Sequence, residues 1–199
     1  MPRDWVKGRR RDPAYRLAKR RGYRSRAAIK LAQIDDRHGL FREGDVVVDL
    51  GAAPGGWAQV ARERVGPRGR VVAVDAVPMG PMEGVERVRG DFSDPSVQAT
   101  LFELLRRPAD VVMSDMAPHL SGARPYDGAR TLDLAEAALS FAVRALRPGG
   151  TFLAKVFDGE GVRGFRTKVR ARFRDVRIVK PAASAPKSSE IYVLAVDRD

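Results

Sequence analysis

The segment that most constrains the fold is VVVDLGAAPGGW, residues 46–57. It begins with three β-branched residues, breaks at Gly51 and again at residues 54–56, and continues from Trp57 into a helix-compatible run. A buried strand, a glycine turn and a helix N-terminus form the arrangement in which a nucleotide-type ligand binds at the end of a parallel strand. The glycines allow close backbone approach, and the helix N-terminus favours a negative group. We therefore expect a ligand-binding α/β domain organised around this segment.

Acidic residues end the next two predicted strands. The strand RVVAVD, residues 70–75, ends in Asp75, and a weaker strand over residues 84–90 is followed by Asp91. A carboxylate at the end of the second strand can accept hydrogen bonds from both hydroxyls of an adenosine ribose. The glycine pattern is neither G-x-G-x-x-G nor a P-loop, and D-L-G-A-A-P-G-G resembles the first motif of S-adenosylmethionine-dependent methyltransferases. That resemblance implies S-adenosylmethionine as cofactor, with Gly51, Gly55, Gly56, Trp57, Asp75, Asp91 and Asp115 as its contacts.

Strands alternate with helices along the rest of the chain. After the strand at residues 46–50 and the two above, further strands are predicted at residues 109–114, 151–157, 176–180 and 191–196. This alternation predicts an α/β class. Together with the cofactor resemblance it predicts a Rossmann-like S-adenosylmethionine-dependent methyltransferase fold, with a seven-stranded, mostly parallel sheet and helices on both faces. We assign residues 23–199 to this single domain and residues 1–22 to a basic N-terminal arm that orders on RNA.

The charge distribution indicates a polyanionic partner. The chain has 37 Lys and Arg against 25 Asp and Glu, a net charge of +12, of which residues 1–30 carry +10 and residues 163–187 carry +8. Two basic segments around an acidic middle favour a directed surface for nucleic acid, although a merely solvated arginine-rich composition is the alternative. Trp5, Tyr15 and Tyr23 lie among the arginines and either stack on bases or hold the arm against the domain.

Several classes of protein are disfavoured by composition. No apolar run approaches the roughly 20 residues of a membrane helix, and the N-terminus lacks the apolar core of a secretory signal. The chain has no cysteine and two histidines, and no His/Cys/carboxylate cluster has metal-ligand spacing, so we predict no metal site. We expect a cytoplasmic protein without a membrane partner, and a monomer because no dimer stripe is evident.

A lysine within an apolar strand is the candidate catalytic group. Lys155 lies in FLAKVF, and a desolvated lysine has a lowered pKa and can act as a general base or orient a hydroxyl. The alternative is an edge-strand lysine that reaches water. Asp115 ends the fourth strand in SDMAP, and Glu190 begins the last strand in SSEIYV. Lys30 lies in the helix predicted between Ser25, a plausible N-cap, and Gly39.

These residues resemble a known family when taken together. YRSRAAIKL, VVDLGAAPGGW, VMSDMAP, GGTFLAKVF with its GEG loop, and SSEIYVLA occur in the order of the FtsJ family of ribose 2′-O-methyltransferases and cover nearly the whole chain. The resemblance implies that Lys30, Asp115, Lys155 and Glu190 form that family's catalytic tetrad. His119 departs from the family, which usually has Asn there, and this leaves the local RNA contacts open. Asp127, in the same loop, is either an RNA contact or a loop acid.

The resemblance further implies methylation of a ribose 2′-hydroxyl, of a uridine of 23S ribosomal RNA in the peptidyl transferase region. The expected partner is ribosomal RNA within the large subunit. Two alternatives stay open. One is ribose methylation of tRNA or of an RNA cap, and the other is a non-catalytic RNA-binding protein of ribosome assembly. The sequence does not decide between naked RNA and an assembled subunit as substrate.

Overall fold

A computed structural model describes residues 12–117, 124–185 and 188–199, with side chains in the 124–145 helix described from residue 128 onward. The strands are β1 (Val46–Leu50), β2 (Arg70–Asp75), β3 (Val85–Arg89), β4 (Ala109–Ser114), β5 (Leu146–Phe157), β6 (Phe173–Val179) and β7 (Glu190–Arg198). The helices are α1 (Pro13–Arg20), α2 (Ala27–His38), α3 (Gly56–Val65), α4 (Pro95–Leu105), α5 (Arg124–Ala145) and α6 (Val162–Arg170).

The seven strands form one sheet in the order β3-β2-β1-β4-β5-β7-β6. β1 to β5 are parallel to one another, and β7 is antiparallel to both β5 and β6. The predicted seven-stranded, mostly parallel sheet is therefore confirmed. Because parallel strands end at the same edge, Gly51, Asp75 and Asp115 follow or end β1, β2 and β4 along one carboxyl edge.

Helices cover both faces of the sheet, as predicted. On one face, Val48 and Leu50 of β1 pack in a core with Leu101, Phe141 and Phe165 from α4, α5 and α6. On the other face, Val47 of β1 packs in a second core with residues of α2 and α3, among them Leu31, Ala58 and Val60. β1 is buried along its whole length, which suits its run of β-branched residues between two helical layers.

The N-terminal segment differs from the prediction. Within the expected arm of residues 1–22, Pro13–Arg20 form a helix whose N-cap is Asp12. Ala14 and Ala18 are buried against Ile29 of α2, so this helix packs on the domain, and the boundary at residue 22 does not separate it. The sequence does not indicate this packing because alanine side chains bury little apolar surface, although their small size lets two helices approach closely. Residues 1–11, including Trp5, lie outside the described residues.

Three further features adjust the local predictions. Tyr23 attaches the segment between α1 and α2 to the domain, because its hydroxyl donates a hydrogen bond to Glu63 Oε2 at 2.7 Å. The N-cap of α2 is Arg26, without a capping side chain, so Ser25 does not have the capping role that was predicted. β5 begins at Leu146, so the RPGG sequence lies inside the strand, where its pairing with β4 shifts register between Ala109 and Val111.

No helix among the described residues is long and apolar enough to cross a membrane.

Gly51 is the position where the turn after β1 tolerates no side chain. Its φ is +77°, and a Cβ there would lie 2.6 Å from Met116 Cγ and 2.9 Å from Met116 Cα. Gly22 has a similar φ of +72° with nothing within 4 Å of the Cβ position, which makes it a matched control.

We expect Gly51→Ala to lower the free energy of unfolding by about 2 kcal/mol or more, because left-handed strain adds to a clash with fixed backbone. Gly22→Ala carries the backbone strain alone, about 1 kcal/mol. Urea denaturation of both variants measures the difference. Equal losses would contradict the steric role assigned to Gly51.

Candidate active site

A cleft of about 530 Å³ lies at the carboxyl edge of the sheet. Four of the predicted cofactor residues line it: Gly51, Asp75, Asp91 and Asp115. The described residues around it are otherwise apolar or small and include no lysine or arginine. Three carboxylates without a basic residue suit a ligand that carries positive charge and hydrogen-bond donors, and they disfavour a phosphate group.

The carboxylates of Asp75 and Asp91 are oriented by the backbone. Asp75 Oδ2 accepts from the amide of Ala53 at 2.9 Å, and its Oδ1 accepts from the amide of Val77 at 2.7 Å. Asp91 Oδ1 accepts from both the amide and the hydroxyl of Ser93, at 2.8 and 2.7 Å, and these bonds lower the pKa of Asp91. A carboxylate oxygen accepts more than one hydrogen bond, so both residues keep acceptor capacity for a ligand.

Gly55, Gly56 and Trp57 lie on the other side of the glycine turn and do not line this cleft. Trp57 is 3 % exposed, its Nε1 donates to the carbonyl of Ala27 at 3.0 Å, and its ring lies 5.7 Å from that of Tyr192. A Cβ on Gly56 would lie 2.1 Å from Ser25 Oγ. Gly56 and Trp57 therefore dock α3 against the start of α2.

Lys155 is buried beside Asp115. Its side chain is 6 % exposed, and Nζ donates to the backbone carbonyl of Asp115 at 2.8 Å. Nζ also lies 2.9 Å from Asp115 Oδ1, but this oxygen has no hydrogen bond of good geometry, so the carboxylate is held by charge rather than by an aligned bond. The lysine therefore turns toward the cleft edge instead of reaching bulk water.

Lys30 and Glu190 form a second pair next to the first. Lys30 Nζ lies 2.6 Å from Glu190 Oε2, and the two side chains are 7 % and 23 % exposed. Burial alone would raise the pKa of Glu190, but the hydrogen bond and charge of Lys30, with the charge of Lys155 and a hydrogen bond from Ser188, lower it. The structure thus brings the four predicted tetrad residues together as two adjoining ion pairs.

Sequence reasoning missed Asp49, which lies within β1. The residue is fully buried, and neither carboxylate oxygen has a well-formed hydrogen bond. Burial raises the pKa of Asp49 well above its ordinary value, the charges of Asp115 and Asp75 raise it further, and the amide of Ala58 only partly offsets them. Burial without a cation favours the protonated form of a carboxyl, so the folded protein keeps the proton of Asp49 to a higher pH than the unfolded chain does.

Asp110 shows the contrasting case at the start of β4. Burial would raise its pKa, but hydrogen bonds from Arg147, from the amide of Val46 and from Arg107 lower it instead. Both aspartates interrupt apolar strands, as Lys155 does, so the same signal could have identified them from the sequence. Only the fold shows that their environments differ, because Asp49 has no well-formed hydrogen bond whereas Asp110 pairs with two arginines.

Tyr192 is the second residue that sequence reasoning missed. It pairs with Lys155 across β5 and β7, is fully buried, and has no hydrogen bond at its hydroxyl. Burial raises the pKa of Tyr192 well above its usual value, and the charges of Asp115 and Glu190 raise it further. The phenol therefore stays neutral beneath the two ion pairs.

The predictions for His119 and Asp127 concern side chains that the structure does not describe. His119 and the side chain of Asp127 lie outside the described residues. Within the described ranges, no group of three or more histidine or acidic side chains could hold a metal ion.

Comparison with known proteins identifies the family. A family model for FtsJ-like methyltransferases matches residues 23–198. The chain belongs to this family. It is 52 % identical over 194 residues to a ribosomal RNA large subunit methyltransferase E of Azoarcus sp. (strain BH72), covering 97 % of this chain and 95 % of the relative. It is 45 % identical over 196 residues to the protein of the same name from Coxiella burnetii (strain RSA 493 / Nine Mile phase I), covering 96 % and 92 %.

Solved structures agree with this assignment. The fold is similar to a crystal structure from Plasmodium falciparum described as a ribosomal RNA methyltransferase, with a TM-score of 0.79 and 26 % identity, covering 88 % of this chain and 98 % of that one. As an FtsJ-like methyltransferase, the chain is an enzyme of methyl transfer, and the cleft at the carboxyl edge is its candidate active site.

We expect Asp49→Asn to stabilise the protein increasingly as the pH rises. Because the pKa of Asp49 is raised in the folded state, the native protein retains a proton that the unfolded chain releases above about pH 3.9. The wild-type protein therefore loses stability with rising pH through this group, and the asparagine variant does not.

Urea unfolding at about pH 5 and about pH 8 measures that difference. The matched control is Asp158→Asn, at an exposed position. A stability difference between wild type and Asp49→Asn that does not change with pH would contradict a neutral Asp49.

Proposed function

We propose that this protein transfers a methyl group from S-adenosylmethionine to a ribose 2′-hydroxyl in RNA, most specifically to a uridine of large-subunit ribosomal RNA in the peptidyl transferase region. The observation that carries the proposal is the position of Lys155. It is a buried lysine paired with Asp115, and Asp115 itself lines the acidic cleft. The carboxylate of Asp115 thus adjoins both the cofactor cleft and Lys155, the candidate base.

The residues present fit the cofactor. S-adenosylmethionine carries a positive sulfonium and an ammonium group, and the described cleft residues are acidic without a basic neighbour. Asp75 would accept the ribose hydroxyls of its adenosine, and Asp91 would accept the adenine amino group. Gly51, Gly55, Gly56 and Trp57 shape the turn that carries the site, although only Gly51 lines the cleft. When bound, the cofactor supplies a methyl group on a reactive sulfonium.

The chain then has to position the hydroxyl and remove its proton. Lys155 Nζ is held by the carbonyl and carboxylate of Asp115, and in its neutral form it accepts the proton as the O–H bond breaks. Asp115 fixes the direction of Lys155. Lys30 and Glu190, paired at 2.6 Å, hold the target ribose beside it. Alignment of the hydroxyl with the methyl group supplies most of the remaining rate increase.

The N-terminal helix offers the better RNA surface of the two basic segments. Arg16, Lys19, Arg20 and Arg21 are exposed on or next to α1 and form no ion pair with the described residues. The second segment is partly neutralised, because Lys168 pairs with Glu136, Arg174 with Asp197 and Asp199, and Arg177 with Asp175. Since α1 packs on α2, which carries Lys30, phosphates bound there would lie near the ion pairs.

The relatives support the substrate class. The Azoarcus and Coxiella proteins are named as methyltransferases of large-subunit ribosomal RNA, and they align with 97 % and 96 % of this chain. We propose the same substrate for this protein. The proposal also includes the assembled large subunit as its partner, a monomeric state and a cytoplasmic location. Methylation of tRNA or of an RNA cap is the alternative within the same chemistry. A non-catalytic RNA-binding role would not explain the buried Lys155–Asp115 pair.

We expect Lys155→Ala to reduce methyl transfer at least about 100-fold, because a general base contributes about that factor or more. Its affinity for S-adenosylmethionine should stay close to wild type, since the cleft does not include Lys155. Lys168→Ala is the control, because Lys168 is exposed and pairs only with Glu136. Radiolabelled methyl incorporation into RNA and calorimetry measure the two effects. Near wild-type activity of Lys155→Ala with intact cofactor binding would exclude Lys155 as the base.

A second test addresses the substrate. Large ribosomal subunits and free 23S RNA from a strain lacking the enzyme should accept methyl groups, whereas tRNA from that strain should not. The product should be a uridine that resists alkaline cleavage on its 3′ side, because a methylated 2′-oxygen cannot attack the adjacent phosphate. Efficient methylation of tRNA alone would favour the alternative substrate, and product lacking this resistance would exclude ribose methylation.

A further inference from the structure

Arg24 connects two loops that border the cofactor cleft. It lies between α1 and α2, and its guanidinium donates to three backbone carbonyls: to Gly80 at 2.8 Å, to Pro54 at 3.4 Å and to Pro81. Its own backbone amide donates to Gln59 Oε1 of α3 at 2.7 Å. One side chain thus joins the glycine turn before α3 to the loop between β2 and β3.

The loop that Arg24 holds forms a wall of the cleft. Val77 and Pro78 line the cleft, and Asp75 fixes the start of the loop by accepting the amide of Val77. Further along, Met79 and Met82 pack against the glycine turn, where a Cβ on Gly55 would lie 2.9 Å from Met79 Sδ and 2.9 Å from Met82 Cε. The wall is therefore tied at its start by Asp75 and at its far end by Arg24.

The chemistry of these contacts separates Arg24 from its basic neighbours. An exposed arginine in a basic segment is suited to contact phosphate, but Arg24 directs its donors at carbonyl oxygens of its own chain. A planar guanidinium can reach carbonyls on two loops at once, whereas a lysine ammonium presents its donors from a single point. The side chains of Arg16 and Arg20, by contrast, form no ion pair or hydrogen bond with the described residues and stay available for RNA.

We propose that Arg24 is a positioning residue of the cofactor cleft, which holds the loop at residues 76–82 against the glycine turn, rather than a contact to RNA phosphate. The assignment rests on the proposed function, because the ligand of the cleft is taken to be S-adenosylmethionine. Loss of the guanidinium frees the far end of one wall of the cleft, at Gly80 and Pro81, although Arg87 still donates to the carbonyl of Met79 at 2.6 Å. Cofactor affinity then falls, while the basic surface that attracts RNA loses little.

The experiment compares Arg24→Ala, Arg24→Lys and the matched variant Arg20→Ala with the wild type. Calorimetry measures the dissociation constant for S-adenosylmethionine, and RNA affinity is titrated against salt. We expect both Arg24 variants to bind the cofactor at least about tenfold more weakly, with the wild-type salt dependence of RNA binding. Arg20→Ala should bind the cofactor normally and lose about 0.7–0.9 in the slope of log affinity against log salt.

Four outcomes would overturn the assignment. Cofactor affinity of Arg24→Ala within about twofold of wild type excludes the positioning role, and full cofactor affinity in Arg24→Lys excludes the need for a bridging guanidinium. A smaller salt slope in Arg24→Ala with normal cofactor binding makes Arg24 a phosphate contact instead. If the wild-type protein itself does not bind S-adenosylmethionine, the proposed function fails and this assignment with it, a result distinct from the other three.

A general loss of folding is recognised separately. Hydrogen exchange of the ligand-free protein should show faster exchange in residues 76–82 of Arg24→Lys, with β1 and β4 protected as in wild type. Uniformly faster exchange across the sheet, with cofactor and RNA affinity falling together, would assign Arg24 a role in overall stability and overturn the specific one.

Discussion

The ion pair between Lys155 and Asp115 is the interaction on which the arrangement of the active site depends. A lysine that is 6 % exposed is stable only when a partner compensates its charge, and Asp115 supplies both its carbonyl and its carboxylate. The pair also acts on its neighbours, because Lys155 contributes to the lowered pKa of Glu190, which in turn holds Lys30. Removal of any member would leave an uncompensated buried charge beside the others, so the four residues form one electrostatic unit.

The reversed direction of β7 makes this unit possible. β5 ends at Phe157 on the carboxyl edge, and because β7 is antiparallel its first residue, Glu190, pairs with Phe157 at that same edge. A parallel β7 would place its opposite end there, around Asp197, and Glu190 would lie at the far side of the sheet. The one departure from a fully parallel sheet therefore brings a carboxylate to Lys30. The register also aligns Tyr192 with Lys155, beneath the pairs.

The features that could be predicted from the sequence are local ones. A few adjacent residues are enough to predict the turn after β1, the acids that end β2 and β4, and the lysine in β5. The features that could not be predicted depend on contacts between distant segments. α1 is fixed by Ala14 and Ala18 against Ile29, and its alanines give too weak an apolar pattern to indicate packing. Likewise, charge counting groups Arg24 with the arginines that we propose to bind RNA, and only the fold shows that its donors contact the carbonyls of residues 54, 80 and 81.

The protonation of Asp49 completes the charge balance on this face of the sheet. With Asp49 ionised, three carboxylates would face two lysines, since Asp115 and Glu190 already pair with Lys155 and Lys30. Because burial raises the pKa of Asp49 well above its ordinary value, the protonated form is favoured, and the two pairs then balance in charge. A balanced interior cannot by itself attract RNA over a distance. In the function that we propose, the attraction comes from the exposed cations around α1, outside the candidate site, and the buried charges act on the hydroxyl that arrives there.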